Sequence, residues 1–294
     1  MKTWITGSAG FLGQRLVQRF STSGHTVIGL SRRKSAHVDK SIEIDLSADD
    51  TVLKLQALID ASGPPDVIIH TAARQPGSWP LSEFVKSNVL GTANLWEALK
   101  TSLPKRIIYT STLSVYDLPA KNPVSENQAT AGTQAYPATK RWAEQICELF
   151  WRQTQVIILR LPSLYGAGQA DSFIDGLARL ALRDEPIELF SRGELVRDAL
   201  HVSDAVEAIA ACLELPPEAN SCLMNLGAGR QIRTIEYAQA LVEALDSKSE
   251  IILVDRRAVQ SDLYADIATA RGVIGFNPTG LRESMERYAN ELRA

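Results

Sequence analysis

A glycine-rich turn near the start of the chain constrains the fold more than any other feature. Residues 6–13 are Thr-Gly-Ser-Ala-Gly-Phe-Leu-Gly, so the glycines fall at intervals of three. The turn follows a β-type run, Lys2–Thr6, and leads into an amphipathic stretch, Phe11–Thr22. A strand–turn–helix unit of this kind turns backbone N–H groups and the positive end of a helix dipole toward a phosphate. The pattern predicts a dinucleotide site, and the alternative is a glycine-rich turn without a ligand.

The rest of the chain alternates β-type runs with helical stretches over about its first two-thirds. This order is typical of a parallel sheet covered by helices on both faces. We therefore expect an α/β fold with a Rossmann-type, doubly wound parallel sheet in residues 1–165. A smaller C-terminal α/β lobe is expected in residues 166–294, with some segments returning to the core. Gly91 lies inside the long predicted helix Ser82–Ser102, which indicates close packing of that helix against the sheet.

Composition and charge exclude several classes of function. The 294 residues carry a formal charge of −3, which provides no long-range attraction for nucleic acid or anionic lipid, so neither is an expected partner. No apolar run is long enough to cross a bilayer. The three cysteines, Cys147, Cys212 and Cys222, follow no metal spacing, and their odd number argues against a disulfide framework. We expect a soluble cytoplasmic protein without a metal site.

The end of the second predicted strand, Thr26–Ser31, should distinguish between the two nicotinamide dinucleotides. An acidic residue there would accept a hydrogen bond from the ribose 2′-hydroxyl and repel a 2′-phosphate. The chain has Ser31-Arg32-Arg33 instead, and two guanidiniums suit a phosphate. The residues favour NADP, with NAD as the alternative. Asp45, which precedes Leu46, is placed either to accept from the adenine amino group or to cap a helix.

Tyr136 and Lys140 form a candidate acid–base pair. On a helix, a spacing of four puts both side chains on one face. A phenol that titrates near 10 is a poor catalyst at neutral pH, and a nearby ammonium would lower its pKa. Spacing alone would also arise by chance on an amphipathic helix.

A hydroxyl-rich strand end supports the interpretation of Tyr136 and Lys140 as an acid–base pair. Residues 109–116 include Thr110, Ser111 and Thr112 where the fifth predicted strand ends, at the edge of the sheet where ligands bind in such folds. A hydroxyl there could orient a reacting oxygen toward Tyr136. A simple turn is the alternative explanation for this composition.

Together these motifs resemble the extended short-chain dehydrogenase/reductases, in the branch of sugar-nucleotide epimerases, dehydratases and reductases. The resemblance runs nearly end to end. Besides residues 6–13, the matching segments are His70–Ala73, Asn88–Leu95, Tyr136–Lys140, Arg160–Gly166, Arg197–Asp204, Asn225–Gly229 and 265–278.

The resemblance implies which residues build the site. The implied cofactor-binding residues are Gly7, Gly10, Phe11, Leu12, Gly13, Ser31, Arg32, Arg33, Asp45, Leu46, Thr71, Ala72, Ala73, Arg74, Asn88, Tyr136, Lys140, Pro162 and Ser163. Thr112 takes the position of the catalytic hydroxyl, with Ser111 as its neighbour in the substrate site. Arg197 and Arg256 are implied to bind substrate phosphates. For Arg197, an ion pair with Asp198 or Asp204 is an equal alternative.

The resemblance also implies redox chemistry at carbon 4 of a nucleoside-diphosphate sugar. Tyr136 would exchange the hydroxyl proton, Thr112 would polarise the oxygen, and Lys140 would tune Tyr136 and anchor the cofactor ribose. A homodimer through the helices near Ser82–Ser102 and Gln134–Trp151 is a further implication.

Departures from the family pattern narrow the reaction. Dehydratases of the family carry Asp-Glu after the catalytic Thr, whereas this chain has Leu113-Ser114, which argues against dehydration. Reduction of a 4-keto sugar nucleotide and 4-epimerisation remain. Because the residues after the second strand favour NADP, we favour an NADPH-dependent reductase, with an NAD-dependent 4-epimerase as the alternative. A non-catalytic dinucleotide-sensing protein is a third hypothesis, against which the intact Tyr136–Lys140 pair argues.

Overall fold

The computed structural model describes residues 1–170, 172–216, 219–256 and 260–294. The chain divides into two compact units, each assembled from three stretches of sequence. The first unit comprises Met1–Val115, Thr130–Arg160 and Ile209–Met224. The second comprises Tyr116–Ala129, Leu161–Ala208 and Asn225–Ala294.

Eleven strands lie in the described ranges. They are β1 (Lys2–Thr6), β2 (Thr26–Ser31), β3 (Lys40–Glu43), β4 (Val67–His70), β5 (Arg106–Thr112), β6 (Gln155–Leu161), β7 (Ser163–Tyr165), β8 (Ile187–Leu189), β9 (Ala199–His201), β10 (Cys222–Asn225) and β11 (Ile251–Leu253). Seven of them form one sheet in the order β3-β2-β1-β4-β5-β6-β10. The pairs β1–β2, β2–β3, β1–β4 and β4–β5 are parallel. The predicted doubly wound, Rossmann-type α/β fold is confirmed.

Ten α-helices connect or follow these strands. They are α1 (Phe11–Ser21), α2 (Thr51–Ser62), α3 (Leu81–Phe84), α4 (Gly91–Leu99), α5 (Ala135–Glu148), α6 (Phe173–Ala181), α7 (Val202–Leu213), α8 (Thr234–Leu245), α9 (Ala268–Ile274) and α10 (Leu281–Arg293). Among the described residues, no helix is both long and apolar enough to span a membrane.

The sheet is central to the first unit because helices cover both of its faces. Every residue of β4, β5 and β6 is buried, and each strand contains an apolar run without alternation: residues 67–69, 107–109 and 156–159. Trp4, Ile68 and Ile107 belong to one core cluster with Leu95 of α4 and Ala143 of α5. This packing fixes the catalytic-helix candidate α5 against the ends of β4 and β5.

The predicted single helix Ser82–Ser102 is wrong in detail. The segment is α3, then a π-helical turn at Val85–Leu90, then α4. The π turn accommodates Asn88, whose buried side chain bonds to groups outside the helix. Gly91 does mark close packing, since a Cβ there would lie 3.3 Å from the Cβ of Leu46. Gly91 therefore packs against Leu46, in the turn after β3, and not against a strand of the sheet.

The second unit contains two short parallel pairs, β7–β9 and β8–β11. Helices α6, α8 and α10 pack around a separate apolar cluster that includes Ile174, Tyr237 and Met285. Helix α10 packs along α8, and α6 packs against the same helix. This unit therefore has a hydrophobic core of its own.

Candidate active site

The glycine turn joins β1 to α1 and leaves no room for side chains. Gly7 has φ +69°, and a Cβ on it would lie 2.8 Å from the backbone nitrogen of Ala72. A Cβ on Gly13 would overlap the carbonyl oxygen of Gly7. Gly10 is the N-cap of α1 and provides no side-chain cap, so the first N–H groups of the helix stay open to an anion. These residues fit the pyrophosphate of a dinucleotide.

A buried relay supports the strand ends beside this turn. The hydroxyl of Thr92 donates to the carbonyl oxygen of Asn88 (2.6 Å), so it accepts from Nε2 of His70 (2.9 Å). Nδ1 of His70 then accepts from the hydroxyl of Thr6 (2.6 Å), which in turn accepts from the N–H of Ala72 (3.2 Å). Burial, aided by the charge of Lys140, lowers the pKa of His70 to about 3. His70 is thus a neutral support and not an acid–base group.

Asn88 connects the loop after β4 to α5. Its Oδ1 accepts from the backbone N–H of Arg74 (2.7 Å), and its Nδ2 donates to the hydroxyl of Thr139 (3.0 Å). The side chain of Arg74 forms an ion pair with Glu83 (2.9 Å) and lies over the ring of Trp79, 4.4 Å from its centre. The family resemblance implies that Asn88 supports the backbone beside the reacting groups. These hydrogen bonds are the contacts through which Asn88 would do so.

The adenosine end of the predicted site carries more positive than negative charge. Arg32 and Arg33 are exposed, and the hydroxyl of Ser31 donates to the carbonyl oxygen of Arg33. Burial raises the pKa of Asp45, but hydrogen bonds from Ser47 and the charges of Arg32 and Arg74 outweigh it, so the pKa is lowered overall.

Asp45 is not the helix cap that the sequence offers as an alternative. The residue before α2 is Asp50, and the carboxylate of Asp45 accepts from the N–H (2.9 Å) and hydroxyl (2.7 Å) of Ser47. Its carboxylate therefore shapes the turn after β3, next to Leu46.

Thr112, Tyr136 and Lys140 lie in the first unit, where β5 ends and α5 begins. The hydroxyl of Thr112 accepts from the N–H of Ser114 (3.2 Å) and acts on the phenol of Tyr136, whose pKa it lowers. The ammonium of Lys140 is buried, donates to the carbonyl oxygen of Thr110 (2.7 Å), and lies 4.2 Å from the ring centre of Tyr109. The strand end and the helix thus bring together a hydroxyl, a phenol and an ammonium.

The expected lowering of the Tyr136 pKa is not what the structure shows. Burial raises the pKa of Tyr136 to about 12, and the hydrogen bond from Thr112 only partly offsets this. Burial lowers the pKa of Lys140 to about 7, although the charge of Glu144 acts in the opposite direction. Attraction between phenolate and ammonium would lower this pKa, but desolvation of the phenol is the larger effect here.

Ser111, one residue before Thr112, has a buried hydroxyl. Among the described residues no hydrogen-bond partner of this Oγ is found. A buried polar atom without a partner is costly, so a ligand that bonds to it would gain stability. This fits a group that binds at the end of β5.

Arg197, in the second unit, is not paired as the alternative interpretation suggests. The carboxylate of Asp198 accepts from the N–H groups of Ala228 (2.8 Å) and Ala265 (2.9 Å). Asp204 accepts from both the N–H and the hydroxyl of Thr279. Within the described ranges, the buried Nε of Arg197 has no hydrogen-bond partner, and burial lowers the pKa of this guanidinium. The ion-pair alternative with Asp198 or Asp204 is therefore wrong.

The remaining predicted site residues of the second unit are more exposed to solvent than Arg197. Arg256 is exposed, and its guanidinium lies 5.7 Å from the ring centre of Phe190. Ser163 is exposed and Pro162 is half-buried where β6 gives way to β7. In the part of the chain that the structure describes, no group of three or more His, Cys, Asp or Glu side chains is arranged to hold a metal ion.

Comparisons with known proteins identify the family of the chain. The chain is similar to the UDP-glucose 4-epimerase of Mycolicibacterium smegmatis, with 27% identity over 99% of both chains. It is similar to the UDP-glucuronate 4-epimerase of Thermodesulfobacterium geofontis, with 26% identity over 97% of this chain and 94% of that one. Among solved structures, MoeE5 in complex with UDP-glucose and NAD has 30% identity and a TM-score of 0.85, covering 100% of this chain and 99% of that chain.

A second solved structure is the UDP-glucuronic acid 4-epimerase from Bacillus cereus in complex with UDP-glucuronic acid and NAD. It has 25% identity and a TM-score of 0.84, again over 100% and 99% of the two chains. The sequence pattern of the NAD dependent epimerase/dehydratase family matches residues 3–227, most of the chain. The chain belongs to this family and is an enzyme of the extended short-chain dehydrogenase/reductase type.

Proposed function

We propose that this protein is an NAD-dependent 4-epimerase of a UDP-sugar. The observation that carries the proposal is the placement of Lys140 one helical turn from Tyr136, with its buried ammonium bonded to the carbonyl oxygen of Thr110 in the strand that ends at Thr112. This trio suits the transfer of one proton at one sugar oxygen, and Leu113-Ser114 adds no second acid for chemistry at a neighbouring carbon. The relatives named above as 4-epimerases favour this function over the NADPH-dependent reductase that the sequence argument preferred.

Each residue of the trio has a proposed role. Tyr136 accepts the proton of the sugar 4-hydroxyl as phenolate and later returns it to the same oxygen, for which the positive charges of Lys140 and of bound NAD would have to offset the burial that raises its pKa. The hydroxyl of Thr112 holds that oxygen in line with the phenol. Lys140 stabilises the phenolate by its charge and, with its ammonium at the end of β5, binds a ribose hydroxyl of the cofactor. Bound NAD would supply the hydride acceptor at carbon 4 and then return the hydride to it.

The cofactor would be held by the glycine turn and by the loop that Asn88 supports, whereas the Ser111 hydroxyl would face the substrate. The solved neighbours contain NAD, and an epimerase that re-forms its own cofactor does not need the reduced NADP pool. The exposed Arg32 and Arg33 keep the earlier NADP expectation open to a direct test. The bound cofactor should first be removed from the wild type and from Arg32→Ala. The affinities of both proteins for NAD and for NADP should then be measured by calorimetry.

The diphosphate of the substrate is proposed to bind Arg197, whose Nε is buried without a partner, and Arg256. A guanidinium desolvated in this way gains more from a phosphate than a solvated one does. Arg197→Met should therefore raise KM for the UDP-sugar by at least about tenfold, with a smaller effect on kcat.

A homodimer is part of the proposal. Trp142 and Leu149 on α5 are 45% and 72% exposed, and Leu90 in the π turn is 41% exposed. Helices α4 and α5 pack against each other, so these apolar side chains belong to neighbouring elements of the first unit. Exposed apolar surface of this kind is typical of subunit interfaces. Light scattering should give twice the chain mass, and Trp142→Glu should give the single-chain mass.

The decisive experiment uses the purified protein without added cofactor. Denaturation should release NAD, and UDP-glucose or UDP-glucuronic acid should be converted to its 4-epimer without net formation of NADH. Tyr136→Phe should lower kcat by at least about 100-fold, whereas Tyr288→Phe should not. Stoichiometric oxidation of added NADPH by a 4-keto sugar nucleotide, with no epimerisation, would instead establish the reductase.

A further inference from the structure

A buried carboxylate follows Lys140 by one helical turn. Glu144 has no exposed surface, and Arg160 of β6 binds it with both ends of its guanidinium, Nε to Oε1 (3.0 Å) and Nη2 to Oε2 (2.8 Å). Nη1 of Arg141 lies 3.3 Å from Oε2. Two guanidiniums thus lie against this buried carboxylate.

The other groups around Lys140 come from three elements. From β5 come the carbonyl oxygen of Thr110 and the ring of Tyr109, and from β4 comes His70, which burial keeps neutral. On α5 itself, Tyr136 and the thiol of Cys147 lie on the same side of the helix as Lys140. Burial raises the pKa of Cys147 to about 12, so the thiol carries no charge at neutral pH.

Glu144 is therefore the carboxylate that acts on Lys140 among the described residues. Side chains four residues apart on a helix are direct neighbours. Desolvation alone would favour a neutral amine at Lys140, and a neutral amine cannot stabilise a phenolate. The carboxylate of Glu144, one turn away and held by two guanidiniums, opposes that loss of charge.

We propose that Glu144 is a positioning residue that keeps Lys140 in its ammonium form beside Tyr136, with Arg160 fixing the carboxylate in place. The inference rests on the proposed function of the trio and extends the site by one helical turn into the core. A purely structural alternative is that Glu144 and Arg160 only tie α5 to β6. The two alternatives differ in what happens to the protonation of Lys140.

The test compares Glu144→Gln with Glu148→Gln in the NAD-loaded enzyme. Glu148 lies one turn further along α5 and also pairs with Arg141, at 2.8 Å, so it is a matched control. In the profile of kcat against pH, Glu144→Gln should move the alkaline limb to lower pH by at least about one unit. KM should change little, and Glu148→Gln should leave the limb where it is in the wild type.

Removal of one member of a buried pair can unfold a protein, so a second variant is needed. Glu144→Gln combined with Arg160→Gln removes both charges and keeps an amide pair of similar volume. It should displace the alkaline limb in the same direction as Glu144→Gln, by a smaller amount. A folded variant of either kind whose alkaline limb coincides with that of the wild type would overturn the proposal.

A second readout does not depend on which substrate the enzyme uses. In the ligand-free protein the titration of Lys140 itself can be followed by the NMR resonance of its ε-carbon, which is identified by its absence from Lys140→Met. Without the charge of Glu144, this titration should move to lower pH by about one unit. If no UDP-sugar is epimerised but this displacement is seen, the proposed function fails and the role of Glu144 stands. If epimerisation is seen without this displacement, the proposed function stands and the proposed role of Glu144 fails.

Discussion

The ammonium of Lys140 and the carbonyl oxygen of Thr110 are joined by a 2.7 Å hydrogen bond at the end of β5. This bond ties the one buried lysine of the candidate site to the strand that also carries Ser111 and Thr112. The ammonium is thus held by backbone and desolvated at the same time. Its protonation should respond to pH in a way that stability measurements can detect.

Lys140 should make the ligand-free protein more stable as pH rises above neutrality. Its pKa is lowered to about 7 in the folded protein, whereas a lysine in an unfolded chain titrates at about 10.4. Between these values the unfolded chain binds more protons, so the free energy of unfolding rises by up to about 1.4 kcal/mol per pH unit. Below about pH 7 Lys140 is protonated in both the folded and the unfolded protein. The free energy of unfolding is then lowered by the full cost of burying the charge.

Urea unfolding of Lys140→Met from about pH 7 to pH 10 should therefore show a shallower rise than the wild type. Lys54→Met removes an exposed lysine that pairs with Asp50 and should not alter the slope. Parallel curves for Lys140→Met and the wild type would contradict the lowered pKa.

Asn88→Ala should impair catalysis more than stability. It removes the acceptor for the N–H of Arg74 and the donor to Thr139, which position the cofactor loop and α5. We expect kcat to fall by about 10- to 100-fold, because a small displacement of reacting groups has effects of this size. Asn94→Ala removes one hydrogen bond to the carbonyl oxygen of Leu46 (2.9 Å) and should leave kcat within about twofold of the wild type. Equal losses of kcat in the two variants would refute this role of Asn88.

Two glycine-to-alanine changes within helices should have opposite effects. In Gly13→Ala the added methyl would overlap the carbonyl oxygen of Gly7, so the turn must shift and the protein should be purified without bound NAD. Gly176 lies in α6, and a Cβ there would meet nothing within 4 Å. Gly176→Ala should raise the free energy of unfolding by about 0.5–1 kcal/mol, because alanine is the better helix former. Calorimetric melting and the dinucleotide content of each purified variant provide the check.

Arg106→Met should be among the most destabilising changes in the first unit. The buried guanidinium of Arg106 donates to the carbonyl oxygens of Cys212 (2.7 Å), Leu213 (2.5 Å) and Leu215 (2.5 Å), where α7 ends. Losing a cation there leaves buried carbonyls without donors, at a cost of about 3 kcal/mol. Urea unfolding should show this loss, while Lys105→Met, at the exposed neighbouring position, should change stability by less than about 0.5 kcal/mol.

Local patterns in the sequence were sufficient for the fold and for the first outline of the site. The glycine turn and the Tyr136–Lys140 spacing each lie within a few residues, so their geometry follows from one turn or one helix. Asn88 and Thr112 needed the family resemblance, because their partners Thr139 and Tyr136 belong to another element. The parallel, doubly wound sheet followed from the alternation of β-type and helical stretches.

Features that depend on tertiary contacts could not be predicted in this way. The relay through Thr6, His70 and Thr92 joins residues of β1, β4 and α4, and no spacing rule connects them. The contact between Glu144 and Arg160 likewise requires α5 to lie against β6. The pKa of Tyr136 depends on how much water the fold removes from the phenol, which no short motif encodes.

The place of β10 in the sheet matters while the protein is being made. Strand β10 lies beside β6, so a chain emerging from the ribosome keeps β6 as an open edge until residue 225 is free. Chaperones would have to shield that edge during synthesis, since open strand edges pair with other chains. An expression fragment that stops at residue 165 would keep the same edge permanently, and such a fragment should accumulate in inclusion bodies where the full chain does not.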